Sequence, residues 1–169
     1  MEPMVELKPI TFENLDRVLK LSPGEDQRHF VEPAYMTIAL GYAGISEGYP
    51  GFVSAIYSGD EPVGIILIGR APVGEGEPDV LQRYEYVYRL MGFFIDERHQ
   101  RRGIGKRALE LALLKLGEFE DGARWPLTLE CKKDNLHAAQ FYRAFGFVNT
   151  GTVYDGEDEV LVRMDRVEG

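Results

Sequence analysis

A chain of 169 residues, 44% hydrophobic and 28% charged, is the size of one ordinary domain, here taken as residues 1–169, and can bury a core without disulfides or metal. Its net charge of −9 argues against nucleic acid as a partner, which needs a broad basic face, and favours cationic ligands through long-range attraction. No apolar run approaches the ~20 residues that span a bilayer, the opening "MEPMVELKPI" lacks the regions of a secretory signal, and the single cysteine, Cys131, permits no internal disulfide; a cytoplasmic protein with no membrane partner is expected.

Along the chain, "VELKPI" predicts a short strand. "TFENLDRVLKL" predicts a helix, with Thr11 as N-cap, Asn14 at the third helical position, and Leu15, Val18 and Leu19 at helical spacing. After the break "SPGED", "EPAYMTIALGYAG" predicts a second helix, with Pro33 near its first turn and Gly41 or Gly44 near its end. "GFVSAIYSGDEPVGIILIG" is two β-type runs around a hairpin signal. "APVGEGEPD" is a Gly/Pro/acid loop, expected to be mobile, and "YEYVYRLMGFFI" is a long strand rich in aromatic and β-branched residues.

"IGKRALELALLKLGEF" predicts an amphipathic helix with Ile104, Ala108, Leu109, Ala112, Leu113 and Leu116 on one side. "PLTLEC" is a strand. "NLHAAQFYRAFGF" is a helix ended by Gly146 in the left-handed capping position. Two closing strands flank Asp155-Gly156, a type I′ hairpin signal. The order β-α-α-β-β-β-α-β-α-β-β is a mixed α/β sheet, antiparallel in its first half.

Against the acidic background, "DERHQRRGIGKR" gathers Arg98, Arg101, Arg102, Lys106 and Arg107 around Gly103 and Gly105, between a strand and a helix. Such glycines aim successive N–H groups at one spot, where the helix N-terminus adds partial positive charge and suits a phosphate. A turn carrying a solvated charge run has the same composition. A P-loop is excluded, because Gln100 and Arg107 stand where it needs Gly and Ser/Thr. A dinucleotide-binding loop fits only in part: seven residues separate Ile95 from Gly103, and Glu130 comes late for the ribose acid.

Gln100-Arg101-Arg102-Gly103-Ile104-Gly105, after "MGFFID" and before "KRALELALL", resembles the Q/R-x-x-G-x-G/A motif of the GNAT superfamily of acetyl-CoA-dependent N-acetyltransferases. Leu129, Glu130, Asn135, Ala138, Tyr142, Gly146 and Phe147 fall in register with that family's L-E-x-x-x-x-N-x-x-A-x-x-x-Y-x-x-x-G-F pattern. The element order is also similar, so the resemblance covers nearly the whole chain and implies a GNAT-like acyl-CoA N-acyltransferase fold. It implies acetyl-CoA as co-substrate, held by Gln100, Arg101, Arg102, Gly103, Ile104, Gly105 and Lys106. Backbone N–H groups near Phe93 to Ile95, with Phe94 and Ile95 as candidates, would bond the acetyl carbonyl. Asn135 would contact the cofactor or cap its helix.

The resemblance further implies direct attack of an amine on the thioester, with Tyr142 as general acid, although Ala138, Phe141, Tyr142 and Phe145 share a face on which a tyrosine also serves packing. Some polyamine-acetylating relatives carry an acid where this chain has Met91. Glu85 on the same strand face, Glu130 on the neighbouring strand, or a water chain remain as bases, and Glu130 has a structural hydrogen bond as its other reading.

The segment "LSPGEDQRHFVEPAYMTIALGYAG" partly resembles spermidine/spermine acetyltransferases through Gln27, Phe30, Val31, Pro33 and Ala39. Its Glu25, Asp26, Glu32 and Tyr35 are the expected substrate contacts, with Glu47, Tyr42 and Tyr49 nearby. The implied partner is a small-molecule amine, and a homodimer stays open. A protein N-terminus or lysine as acceptor, and a non-catalytic acetyl-CoA-binding module, are the alternatives. His29, His99 and His137 show no metal-ligand spacing, and no metal is expected.

Overall fold

The computed structural model describes residues 2–164. Seven strands form one sheet: β1 (Val5–Pro9), β2 (Gly51–Ser58), β3 (Glu61–Pro72), β4 (Tyr86–Ile95), β5 (Leu127–Lys132), β6 (Val148–Tyr154) and β7 (Asp158–Arg163). Helices α1 (Leu15–Leu19), α2 (Ala34–Ser46), α3 (Ile104–Gly117) and α4 (Leu136–Ala144) complete the order that the sequence predicts. The strands lie in the order β1-β2-β3-β4-β5-β7-β6, and β1 to β4 are antiparallel neighbours.

The helices divide between the two faces. Ile104, Ala108, Leu109, Ala112 and Leu116 of α3 enter a core with Ile66, Ile68, Tyr88, Leu127 and Leu129, and α4 packs on it through Ala138, Phe141 and Tyr142. On the other face, Val18 of α1 and Ala34 of α2 pack with Ala55, Tyr57, Ile65 and Phe94. Burying apolar area at roughly 25 cal/mol per Å² is what holds these layers together.

Local details differ from expectation in three places. The first helix is shorter: regular α1 starts at Leu15, yet Thr11 N–H still donates to Asn14 Oδ1 at 2.9 Å, the half of a capping box that a short side chain can make. Helix α2 runs past Gly41 and Gly44 to Ser46, and Gly48, at φ +83°, provides the stop. The acidic loop after β3 is tethered. Gln82 donates to the carbonyls of Gly74 (2.9 Å) and Glu77 (3.0 Å), and Glu77 forms an ion pair with Arg89 of β4.

The closing hairpin follows its sequence signal. Asp155 (φ +50°) and Gly156 (φ +72°) occupy the two left-handed positions, and Glu157 N–H donates to Tyr154 C=O at 2.9 Å. Edge strand β6 loses register with β7 between Asn149 and Val153, around Gly151 at φ +82°.

Candidate active site

Strands β4 and β5 run parallel and pair only at Tyr88 with Leu127 and Arg89 with Thr128. Beyond these pairs β4 continues to Ile95 with β3 as its neighbour on one side only, while β5 follows β7 as far as Lys132 with Asp158. A gap therefore opens in the middle of the sheet, bordered by peptide groups without a strand partner across it.

A bulge sits on the β4 side of the gap. Leu67 faces Met91 and Ile65 faces Phe94, so Gly92 and Phe93 together oppose Ile66. Gly92 takes φ +61°, and a Cβ there would collide with the buried Thr37 side chain of α2. The bulge resets the alternation of faces. Tyr88 and Leu90 before it, and Phe93 and Ile95 after it, belong to the α3/α4 face, whereas Phe94 joins the α1/α2 face. Glycine inside an apolar strand run was the sequence signal for this bulge.

At the C-terminal end of β4, Asp96 is buried and anchors the turn. It accepts hydrogen bonds from Ser22 N–H (3.0 Å), Arg98 N–H (3.1 Å) and Arg98 Nε (2.8 Å). Burial alone would raise its carboxyl, yet the bonds from the Arg98 side chain and from the Ser22 and Arg98 amides hold it below the ordinary carboxylate range. Gln100 turns its amide inward, donating to Ile95 O (2.8 Å), Pro23 O (3.0 Å) and Gln27 Oε1 (3.0 Å).

Arg101 (φ +61°) and Gly103 (φ +75°) then take left-handed conformations, and Gly103 is the N-cap of α3. Arg101, Arg102, Gly103 and Lys106 are exposed around the first turn, whose leading N–H groups have no intrahelical partner. Gly105 lies over the end of β4, where a Cβ would stand 3.6 Å from Ile95 and 3.9 Å from Phe93. Exposed cations beside the leading N–H groups of a helix are the chemistry that suits an anion.

On the α4 side, Asn135 Oδ1 accepts from Ala138 N–H at 3.2 Å and caps the helix. Phe141 approaches Phe93 of β4, with ring centroids 6.1 Å apart. Tyr142 packs edge-on against Phe141 and Phe147. Among the described residues its hydroxyl has no hydrogen-bond partner. Burial first, and then neighbouring Cys131, push the phenol above its ordinary value, so it keeps its proton throughout the neutral range.

Burial, followed by Glu159, Asp158 and Asp134, pushes the Cys131 thiol up to about 11. A buried neutral thiol is a poor nucleophile. Cys131→Ala is therefore expected to hold kcat within about threefold, the loss being a small cavity rather than a catalytic group; steady-state rates beside those of the parent check this.

The opposite side of the gap carries acid. Glu130 is exposed on β5, and among the described residues its carboxylate makes no hydrogen bond or ion pair. Partial burial raises its pKa first, Asp158 and Glu77 raise it further, and Arg89 and Lys132 pull the other way. Both cations are already engaged: Arg89 with Glu77, and Lys132 with Asp158 at 3.1 Å and Glu157 at 3.2 Å. Tyr154 donates its hydroxyl to Glu77 at 2.9 Å, and burial, then this bond, push it up to about 12.

The gap is bordered by the elements that carry Phe94 and Ile95 (β4), Glu130 (β5) and the Gln100–Lys106 loop, and α4, with Asn135 and Tyr142, reaches β4 through Phe141 and Phe93. The structure leaves Glu85 exposed just before β4, about 23 Å along the strand from Gly92 at 3.3 Å per residue. Glu25 and Asp26 are exposed in a turn joined to the glycine loop through Gln27 and Gln100. Glu32 is exposed just before α2, and Tyr35 is 63% exposed on the side of α2 turned from the sheet. Glu77, Arg89, Asp158 and Tyr154 are the neighbours that sequence reasoning missed. No group of His, Cys, Asp and Glu among the described residues could hold a metal ion, and no helix among them is long and apolar enough to cross a membrane.

Residues 15–147 match the model of the Acetyltransferase (GNAT) family. The chain is 30% identical over 159 residues to the spermine/spermidine N(1)-acetyltransferase of Bacillus subtilis (strain 168), covering 94% of this chain and 97% of that protein. Its fold is similar to a crystal structure of an acetyltransferase from Thermus thermophilus, with TM-score 0.62, 25% identity, and 96% and 99% of the two chains covered. Arabidopsis thaliana Naa50 in complex with the bisubstrate analogue CoA-Ac-MVNAL is also similar, with TM-score 0.60, 19% identity, and 94% and 97% covered.

Proposed function

Because this chain belongs to the GNAT family of acetyltransferases, with acetyl-CoA as acetyl donor, we propose that it acetylates a small cationic amine of the polyamine class. The observation that carries this reading is the exposed Glu130 carboxylate of β5, unpaired among the described residues and within the electrostatic reach of Glu77 and Asp158. A substrate with several ammonium groups meets compensating charge there while one end reaches the gap. The likeness to the Bacillus subtilis spermine/spermidine enzyme supports the same class.

Acetyl-CoA supplies an activated thioester. The exposed cations Arg101, Arg102 and Lys106, with the N–H groups from Gly103 onward, would hold its phosphates, leaving the gap for the acyl arm. Peptide N–H groups of β4 near Phe94 and Ile95 would polarise the carbonyl. Glu130, directly or through water, takes a proton from the amine. The neutral nitrogen forms the new C–N bond as the C–S bond breaks, Tyr142 gives its hydroxyl proton to the leaving sulfur, and the surplus proton on the acylated nitrogen returns through water to the Tyr142 phenolate. Met91, lining an apolar recess with Leu40, Gly41 and Leu67, has no part in the proton transfers.

The test is an amine panel with acetyl-CoA, following thiol release. Spermidine or spermine is expected to react faster than a dipeptide amine, and the preference should shrink as salt screens the exposed carboxylates. The Glu130 carboxyl titrates above the ordinary carboxylate range, so kcat/KM for the polyamine should rise as pH climbs through that raised value. Glu130→Gln should remove this limb and lower kcat/KM by roughly 10²-fold, the lower end for a lost general base. Faster turnover of peptides at low salt would instead assign a protein acceptor, and no turnover of any amine would leave a binding module.

A further inference from the structure

Asn14 is buried just before α1, and its partners fix which way its amide is turned. Thr11 N–H donates to Oδ1 at 2.9 Å, so the other end is Nδ2, which donates to Pro9 C=O at 3.1 Å and to the Tyr57 hydroxyl at 3.1 Å. Both Nδ2 protons are then spent, and the Tyr57 oxygen is an acceptor. A phenol that accepts one bond still holds an O–H to give. Among the described residues that proton has no acceptor, although Tyr57 is only 5% exposed. A buried donor is rarely left without a partner.

Tyr57 and Asn14 line an open recess of about 370 Å³, where the chain leaves β1 and enters α1, together with Lys8, Arg17, Glu13 and Asp60. That volume lies at the small end of ligand sites, roughly 300–1,000 Å³. Lys8 Nζ lies 4.5 Å from the Tyr57 ring centroid, and Arg17 Nη1 donates to Asp60 C=O at 3.5 Å. Among the described residues Arg17, Glu13 and Asp60 join no ion pair, and Lys8 reaches only the exposed Glu6, at 3.8 Å. Two cations and two acids thus share one recess without neutralising one another. In the sheet β2 and β3 separate β1 from β4, about 14 Å at ~4.8 Å per strand, so the recess stands apart from the gap.

We propose that this recess binds a free α-amino acid as its zwitterion. Lys8, Arg17 and the Tyr57 hydroxyl are donors for the carboxylate, and Glu13 and Asp60 answer the ammonium group. Charge selects this class. A polyanion would meet the two acids, and a polyamine would meet the two cations. A zwitterion leaves neither sign uncompensated.

Calorimetry on the whole chain with the common free L-α-amino acids, acetate and methylamine tests this. At least one amino acid should bind saturably, with a dissociation constant of about 1 mM or tighter. Acetate and methylamine, each carrying half of the charge pattern, should bind at least about 10-fold more weakly. Arg17→Gln, at an exposed position, should weaken the amino acid by about 10- to 100-fold, the loss of one charge-assisted bond. Tyr57→Phe, which keeps the ring, should weaken it by about 10-fold. Thermal melts verify both variants as folded, and Arg17→Gln carries the test alone if Asn14 cannot spare its acceptor. Acetyl transfer should persist in both, so failure here and failure of the polyamine reading are told apart. No amino acid bound at about 10 mM overturns the proposal. So does binding that both substitutions leave unchanged, or acetate bound as tightly as the amino acid.

Discussion

Tyr142→Phe is expected to lower kcat by roughly 10²–10⁴-fold, the usual contribution of a positioned general acid. Phenylalanine keeps the ring that packs edge-on against Phe141 and Phe147, and the hydroxyl it removes has no hydrogen-bond partner among the described residues. The melting temperature should therefore hold, since no hydrogen bond among the described residues is broken. The raised phenol pKa keeps the donor protonated through the neutral range, so its loss should scale the rate without moving the acid limb assigned to Glu130. Acetyl-CoA affinity should change little, because the proton matters as charge develops on sulfur. Steady-state kinetics beside a thermal melt separate the outcomes. An equally stable variant with kcat within about twofold of the parent would make Tyr142 a packing residue.

Gly103→Val is expected to weaken CoA binding by about 10- to 100-fold, the loss of one charge-assisted hydrogen bond at roughly 1.5–3 kcal/mol. Two effects act together. Valine resists φ +75°, at a cost of about 1–2 kcal/mol, and its branched side chain stands where the phosphate must approach the N–H groups. The fold itself has room: a Cβ at this position meets only Pro3, at 3.9 Å. A modest drop in melting temperature with a large drop in affinity is the expected pair, read by calorimetry with CoA. Unchanged affinity in a folded variant would place the phosphates elsewhere.

The element order and the glycine loop were legible because local signals carry them: the apolar spacing from Ile104 to Leu116, the Asp155-Gly156 turn, and Gly146 at φ +86° after α4. The acidic side of the gap was not legible. Glu77 stands in a stretch whose composition reads as a mobile loop, yet it meets Arg89 twelve residues on and Tyr154 seventy-seven residues on. No periodicity encodes pairings of that kind, which exist only once β4 and β6 share a sheet. The reverse holds for Glu25 and Asp26. Their charge suggested an amine contact, and what the sequence could not show is that the Gln27–Gln100 pair ties their turn to the glycine loop. Charge is visible in sequence, and its address is set by the fold.

The break in β6 has a consequence for colloidal behaviour. An outermost strand invites another chain to extend the sheet, which is how fibrils and amorphous aggregates are seeded. Val148 and Val153 make this edge partly apolar, at 65% and 38% exposure. The strand nevertheless offers a poor template. Asn149 Oδ1 takes the Gly151 N–H at 2.8 Å, Thr150 Oγ1 takes the Thr152 N–H at 3.2 Å, and left-handed Gly151 bends the backbone between them. An incoming strand would find two adjacent donors already spent inside the edge itself, and would have to unmake both bonds before it could zip.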